Sequence, residues 1–311
     1  MSFNFDHPAA FVAAEDLKLI ERESEPCRRT QHLTPALVDL FVRRRWLRVF
    51  IPREVDGDEW EWPDALRLLE AVSWADGGVG WALNLAAGGN IFAGYFPLAL
   101  SQAWFSIPHA WVAGSGSVGG VAMAGPSGYR VHGRWPFVTG APHASIFTVI
   151  CRLESRSDKT IALALQPQHV RLEPGWDGLG LHSSATHAIV VEDATVPAAH
   201  ILPLDDLASH VQRPLYQLPF DVFAVPTLAA SVSGCALRLM DDVLADEGLA
   251  GASRDAVAAT QEALGQARQV FYRALESAWQ EVVARGQMSH DHTRALFNTS
   301  RQLNRVAQQC A

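Results

Sequence analysis

The chain is poor in cysteine, with 4 in 311 residues. Cys27, Cys151, Cys235 and Cys310 lie far apart and form no CxxC pair, which argues against a disulfide-framed fold and a structural zinc ribbon. Reduced thiols and a cytoplasmic location are the expectation. Positive charge is also in short supply: 25 Lys and Arg against 33 Asp and Glu give a formal charge of −8. Nonspecific nucleic-acid binding needs a basic face, so no nucleic-acid partner is expected. No uniformly apolar stretch reads as long enough to span a bilayer. Residues 1–8 lack a basic region followed by an apolar one, so neither a membrane span nor a secretory signal is expected. His290 and His292 flank an aspartate without a fourth ligand, and a helix start explains them better than a metal site; no metal is expected.

What is present is an ordinary globular composition, 49% hydrophobic and 19% charged, with length for about two domains and a sizeable core. The hydrophobic period divides the chain three ways. Residues 1–110 read as helical. Pro8 can open a first helix, Thr34-Pro35 is an N-cap and first-turn pair, and Pro63 starts a helix with Leu66, Leu68, Leu69 and Val72 on its apolar face. A nearly uncharged helix over 79–96 is either buried on most sides or lines a cavity. Residues 111–205 consist of short β-branched runs cut by Gly and Pro, the pattern of a compact β-domain. Residues 206–311 return to helical periodicity over 220–246, 253–285 and 291–310, with Ser253 as a cap.

The β-domain holds the stretches that point to chemistry. Over 128–149, two strands are expected around a corner punctuated by Gly133 and Gly140. Between those glycines lies Trp135-Pro136-Phe137-Val138-Thr139, where Pro136 implies a sheet edge or a bend. Gly114-Ser-Gly-Ser-Val-Gly119 matches GxGxxG formally. It precedes Gly125-Pro126 rather than opening a helix, so it reads as a glycine-rich β-loop and not a dinucleotide fingerprint. Its glycines can still let backbone N–H groups reach a ligand.

The run Gly133-Arg-Trp-Pro-Phe-Val-Thr-Gly140, followed by His143-Ala144, resembles the flavin-contacting strand of the acyl-CoA dehydrogenase superfamily, nearest its two-component flavin-dependent monooxygenases. Two further stretches resemble that superfamily in the same order: Trp74-Ala-Asp-Gly-Gly-Val-Gly-Trp81, and Trp176-Asp-Gly-Leu-Gly-Leu-His-Ser-Ser-Ala-Thr-His187 with the strand behind it. The resemblance implies an α+β fold: an N-terminal helical domain, a central β-barrel-like domain and a C-terminal helical bundle, here short and incomplete. It departs from the family at Gly89, where the monooxygenases commonly have histidine, and at His182, where arginine is usual. Members usually continue for two more helices, which carry late catalytic groups, so no general base can be assigned here.

The resemblance implies a flavin-dependent oxidoreductase using FAD or FMN on a small-molecule substrate. In a dehydrogenase, a carboxylate would remove an α-proton while hydride passes to flavin. In a monooxygenase, flavin reduced by a partner reductase would activate oxygen for an aromatic or polycyclic substrate in a water-excluding pocket. Phe137, Val138 and Thr139, with Ser115 and Gly116 on the neighbouring loop, are the implied flavin contacts. Trp81, Asn84, Asn90 and His182 are candidate substrate contacts, and His143 is a candidate proton donor if it titrates near neutrality. A homo-oligomer, dimer or tetramer, is expected. The other reading is a flavin-free scaffold or partner subunit that completes its bundle with another chain, through Phe297, Leu303 and Val306.

Overall fold

The change of period at Trp111 becomes a change of backbone at Val112, where the first long strand begins. The computed structural model describes residues 7–202 and 209–310. The predicted boundary at 205/206 and the segment 1–6 lie outside the described residues. Among the described residues, eight α-helices and seven strands alternate with 3-10 turns in the order helical, β, helical, so the chain is α+β as expected. The chain divides into two compact units, Met1–Arg22 with Glu61–Gly80 and Arg213–Ala311, and Glu23–Trp60 with Trp81–Gln212.

In the first unit, helices α3 (Trp62–Ala75), α6 (Phe220–Ala245), α7 (Gly251–Arg285) and α8 (His290–Gln308) pack around Trp62, Phe223, Phe271 and Leu303, all essentially buried. α6 is long and apolar enough, by length and composition, to cross a membrane, which the sequence reading did not register; 61% of its apolar window is buried in the protein. Core packing against α3, α7 and α8 accounts for that composition. One ion pair lies wholly inside this core. Glu70, on α3, accepts from Nε and Nη2 of Arg268 at 2.8 Å each, from the Tyr272 hydroxyl at 2.9 Å and from the Ser233 hydroxyl at 2.6 Å. Burial beside that carboxylate pushes the Tyr272 phenol well above its ordinary range.

Several helix starts differ from expectation. Pro8 opens only a 3-10 turn, and helix α1 begins at Ala14 and runs to Thr30. α7 starts before Ser253, with Ala250 as its cap residue, because its first turn already forms at Gly251. Thr34 does cap helix α2 (Pro35–Arg43) by position, but its hydroxyl makes no capping bond. Ser289 caps α8 by accepting from the His292 N–H. The His292 ring bonds Glu281 at 2.6 Å and Ser277 at 3.0 Å, a structural role.

The second unit carries a seven-stranded sheet in the order β5-β6-β2-β1-β3-β4-β7. Its strands are β1 (Val112–Gly125), β2 (Gly128–Val138), β3 (Ile146–Leu153), β4 (Arg156–Leu165), β5 (Arg171–Pro174), β6 (His187–Val196) and β7 (Ile201–Leu202). Every neighbouring pair is antiparallel except β1 and β3. β2 is therefore an interior strand, flanked by β6 and β1, and the edge reading of Pro136 gives way to the bend. The β2–β6 register shifts between Trp135 and Val138, so Pro136 falls where no ladder bond is asked of it.

The glycine-rich run lies inside β1, as a β-segment and not a helix start. A Cβ at Gly119 would stand 2.6 Å from the Trp135 ring and one at Gly120 2.4 Å from it. The close approach lets the fully buried indole lie across β1 and donate to Ile150 O at 2.8 Å. Those glycines serve packing. A Cβ at Gly116 would meet nothing within 4 Å, so that position faces open space.

Candidate functional site

Unusual backbone gathers at one end of β2. Phe137 has φ 61, Gly140 has φ 70, and Leu181 and Ala185, on either side of the 3-10 turn His182–Ser184, have φ 58 and 54. A non-glycine residue held left-handed costs on the order of 1–2 kcal/mol, and such strain collects where surrounding structure demands it. The loops that carry it are tied together. The Gly140 N–H donates to Ser184 O at 3.1 Å, the Gln31 side chain donates to Trp176 O at 3.3 Å, and the Trp176 indole N–H donates to Gly180 O at 2.6 Å. Gln31 is itself left-handed at φ 54.

Phe137 is 58% exposed and meets Trp176 edge-on, with ring centroids 6.3 Å apart. Its two successors turn inward: Val138 is fully buried, and Thr139 is 4% exposed. The Thr139 hydroxyl lies 2.9 Å from that of Thr186, which lies 2.8 Å from that of Ser184. Gly140 is required because a Cβ there would stand 2.6 Å from the Trp111 indole nitrogen. That nitrogen is buried and has no acceptor among the described residues.

His143 follows in the 3-10 turn Ala141–His143. Its Nε2 accepts the Leu33 backbone N–H at 3.1 Å, so the neutral ring carries its proton on Nδ1. His32 stands 6.2 Å from it and 5.4 Å from His187, ring centre to ring centre, and Trp111 is 5.5 Å from His143. Burial first, then the neighbouring His32 and His187, push His143 down to about 4. The condition of titration near neutrality is not met. At neutral pH His143 is an uncharged ring, able to offer an N–H but not to act as an imidazolium acid. His187 is also lowered, by burial and then by His32, against the opposing bond of its Nδ1 to Ala185 O at 3.2 Å.

The other candidates separate. Ser115 is half-buried and Gly116 exposed on β1; the Ser115 hydroxyl accepts the Ser117 N–H at 3.3 Å. The β1–β2 ladder stops at Gly120 and Gly133, leaving residues 115–118 unpaired with β2. Asn90 is fully occupied: Nδ2 donates to Leu47 O and Ala110 O at 2.8 and 2.9 Å, and Oδ1 accepts the Val112 N–H at 3.0 Å. It anchors the start of β1 rather than presenting a free amide. Trp81 and Asn84 lie on helix α4 (Gly77–Gly89), the first half-buried and the second 1% exposed. His182 is half-buried on the strained turn, beside Ser183 and Ser184.

Within 176–187, only His182 was singled out from the sequence. Trp176, Ser184, Thr186 and His187 were missed, although their spacing against the glycines of that motif was in view. Trp111 and His32 had no local signal: His32 reaches His143 only through the fold.

No family model matches the chain. It is 26% identical over 301 residues to indole-3-acetate monooxygenase of Pseudomonas putida, covering 91% of this chain and 76% of that protein. It is 24% identical over 239 residues to the FADH(2)-dependent resorcinol hydroxylase oxygenase component of a Rhizobium species, covering 73% and 58%. Against an indole-3-acetate monooxygenase of Acinetobacter baumannii the chain spans 64% of the relative's length. Among solved structures, the fold matches 3-HSA hydroxylase of a Rhodococcus species with TM-score 0.88 at 14% identity, covering 98% of this chain and 84% of that one. It also matches XiaF of a Streptomyces species, solved with FADH2 and glycerol, with TM-score 0.83 at 18% identity, covering 97% and 82%. The chain thus has the fold of these solved structures, and its relatives in sequence are oxygenase components of flavin-dependent monooxygenases, to which it is similar across most of its length.

Proposed function

We propose that the protein is the oxygenase component of a two-component flavin-dependent monooxygenase, which takes reduced FAD or FMN from a partner reductase and hydroxylates a small aromatic substrate. The observation that carries the reading is Phe137. A large apolar ring left 58% exposed, on a backbone strained to hold it there, is what a flat aromatic ligand would cover. The relatives supply the class: named monooxygenases and hydroxylases, with FADH2 in one solved neighbour and FMN and indole in another. The monooxygenase and hydroxylase names of the relatives favour the monooxygenase over the thioester dehydrogenase.

The residues fit a flavin. Phe137 offers a ring face or edge, Ser115 and Gly116 lie in the irregular stretch between Gly114 and Val118 that pairs with neither β2 nor β3, with open space at Gly116, and the buried Trp111 N–H lacks an acceptor among the described residues. The buried Trp111 N–H and the Nδ1–H of His143 both suit an acceptor-bearing ring. Reduced flavin would supply the electrons that activate oxygen. The chain's own part is to bind and orient the ring through Ser115, Gly116, Phe137, Val138 and Thr139, and to keep water out. Trp81, Asn84 and His182 are the proposed substrate contacts, and His143 acts as a neutral hydrogen-bond donor. A cytoplasmic homo-oligomer is part of the same proposal.

Anaerobic titration of the purified chain with reduced and oxidised FAD and FMN tests the reading. Air is then admitted with an indole or a phenol present. Preferential binding of a reduced flavin, and a product heavier by one oxygen atom in the mass spectrum, are expected. A folded chain that binds neither flavin in either redox state would sink the proposal.

A further inference from the structure

Thr139, Thr186 and Ser184 form a line of hydroxyls with Oγ–Oγ separations of 2.9 and 2.8 Å, and they are 4%, 4% and 1% exposed. Each hydroxyl owns one proton, and the line contains two hydrogen bonds. One proton is therefore always left outside it, whichever way the bonds run. No other side-chain acceptor for any of these hydroxyls occurs among the described residues. A buried donor left unmet is destabilising, so the line asks for an acceptor from outside the chain.

The two ends are not equivalent. Ser184 sits inside a turn closed by left-handed residues at Leu181 and Ala185, and its carbonyl is bound by the Gly140 N–H. Thr139 belongs to the segment that presents the exposed Phe137. If Ser184 donates to Thr186 and Thr186 to Thr139, the surplus proton comes out on Thr139. Run the other way, it is trapped at Ser184, the more deeply buried end.

We infer that Ser184 and Thr186 are positioning residues: they fix the direction of the Thr139 hydroxyl so that it donates to an acceptor atom of the flavin ring. This rests on the flavin reading above. Neither residue touches the ring; each acts through Thr139.

The test uses the full chain with Thr186→Val, Thr186→Ser, Thr139→Val and the Thr139→Val/Thr186→Val pair. The readouts are Kd for oxidised and anaerobically reduced flavin and the visible spectrum of the bound oxidised form. Thr186→Val keeps the side-chain shape and removes the relay. It is expected to weaken flavin binding roughly fivefold to tenfold, the worth of one hydrogen bond, and to shift the bound spectrum. Thr186→Ser is expected to restore binding to within about twofold, because it returns only the hydroxyl. The double variant should bind no worse than Thr139→Val alone, since both changes cut the same line. If Thr186→Val fails to fold, Ser184→Ala is the smaller probe, with a loss of roughly threefold expected. Wild-type affinity in a folded Thr186→Val or Ser184→Ala chain overturns the inference, as does a double variant whose losses multiply. Those outcomes leave flavin binding by the wild type intact. A wild type that binds no flavin instead overturns the functional reading, and this inference with it.

Discussion

The backbone N–H of Leu33 donates to Nε2 of His143 at 3.1 Å, across 110 residues of sequence. The bond sets the tautomer, and burial keeps the ring neutral, with the pKa pushed down to about 4. Unfolded histidine titrates at about 6.5, so between the two values only the unfolded chain takes up the proton. Stability is present above the unfolded value and is lost as pH falls from 6.5 toward 4. His143 contributes up to about 3 kcal/mol of that loss. His187 and His200, also lowered mainly by burial, add to the same slope. Urea melts across this window should show His143→Gln with a flatter pH dependence than the wild type. An unchanged slope would mean the ring is not held neutral.

Phe137 should reverse the usual ranking of glycine and alanine. In regular structure glycine is the less stable by roughly 0.5–1 kcal/mol, but at φ 61 it relieves a strain of about 1–2 kcal/mol that alanine keeps. Phe137→Gly is expected to melt about 2–4 °C above Phe137→Ala, while both weaken flavin binding alike. Differential scanning calorimetry decides the first point and flavin titration the second.

Gly140→Ala combines a left-handed backbone at φ 70 with a Cβ that would lie 2.6–2.9 Å from the buried Trp111 indole. A cost of about 3 kcal/mol is expected from strain and overpacking together. The denaturation midpoint should fall, and the near-ultraviolet tryptophan signal should change with it.

In the first unit, Glu70→Gln would leave the Arg268 guanidinium buried without its counter-charge. The expected loss is about 3–5 kcal/mol, as is usual for breaking one side of a buried pair. Adding Arg268→Met should return part of it, because an apolar side chain needs no partner there. A loss below about 1 kcal/mol in Glu70→Gln would show that water reaches the pair.

The helix and strand periods were legible because both are local properties of spacing. So were the Pro35 start of α2, the strand character of the glycine-rich run, and the family resemblance around 133–144. Phe137, Thr139 and His143 were singled out from that resemblance. What could not be read was how they are held. Pro136 suggested an edge or a bend, and only the fold chose the bend: β2 lies between β6 and β1, and a register shift removes the need for the missing N–H. Asn90 had the composition of a pocket residue, and only the fold reveals three backbone groups consuming its amide.

By itself, the sequence determined the order of helical and β segments, the apolar faces that make each fold inward, and the resemblance to the acyl-CoA dehydrogenase superfamily. Those follow from short-range periodicity and from motifs read along the chain. Tertiary structure alone decided that Leu33 would set the tautomer of His143, that Trp135 would require Gly119 and Gly120, and that Ser184, Thr186 and Thr139 would share one line of protons. The physical reason is common to all three. Hydrogen bonds and close packing act over a few ångströms, and only the folded sheet and its loops bring groups from distant parts of the chain that near.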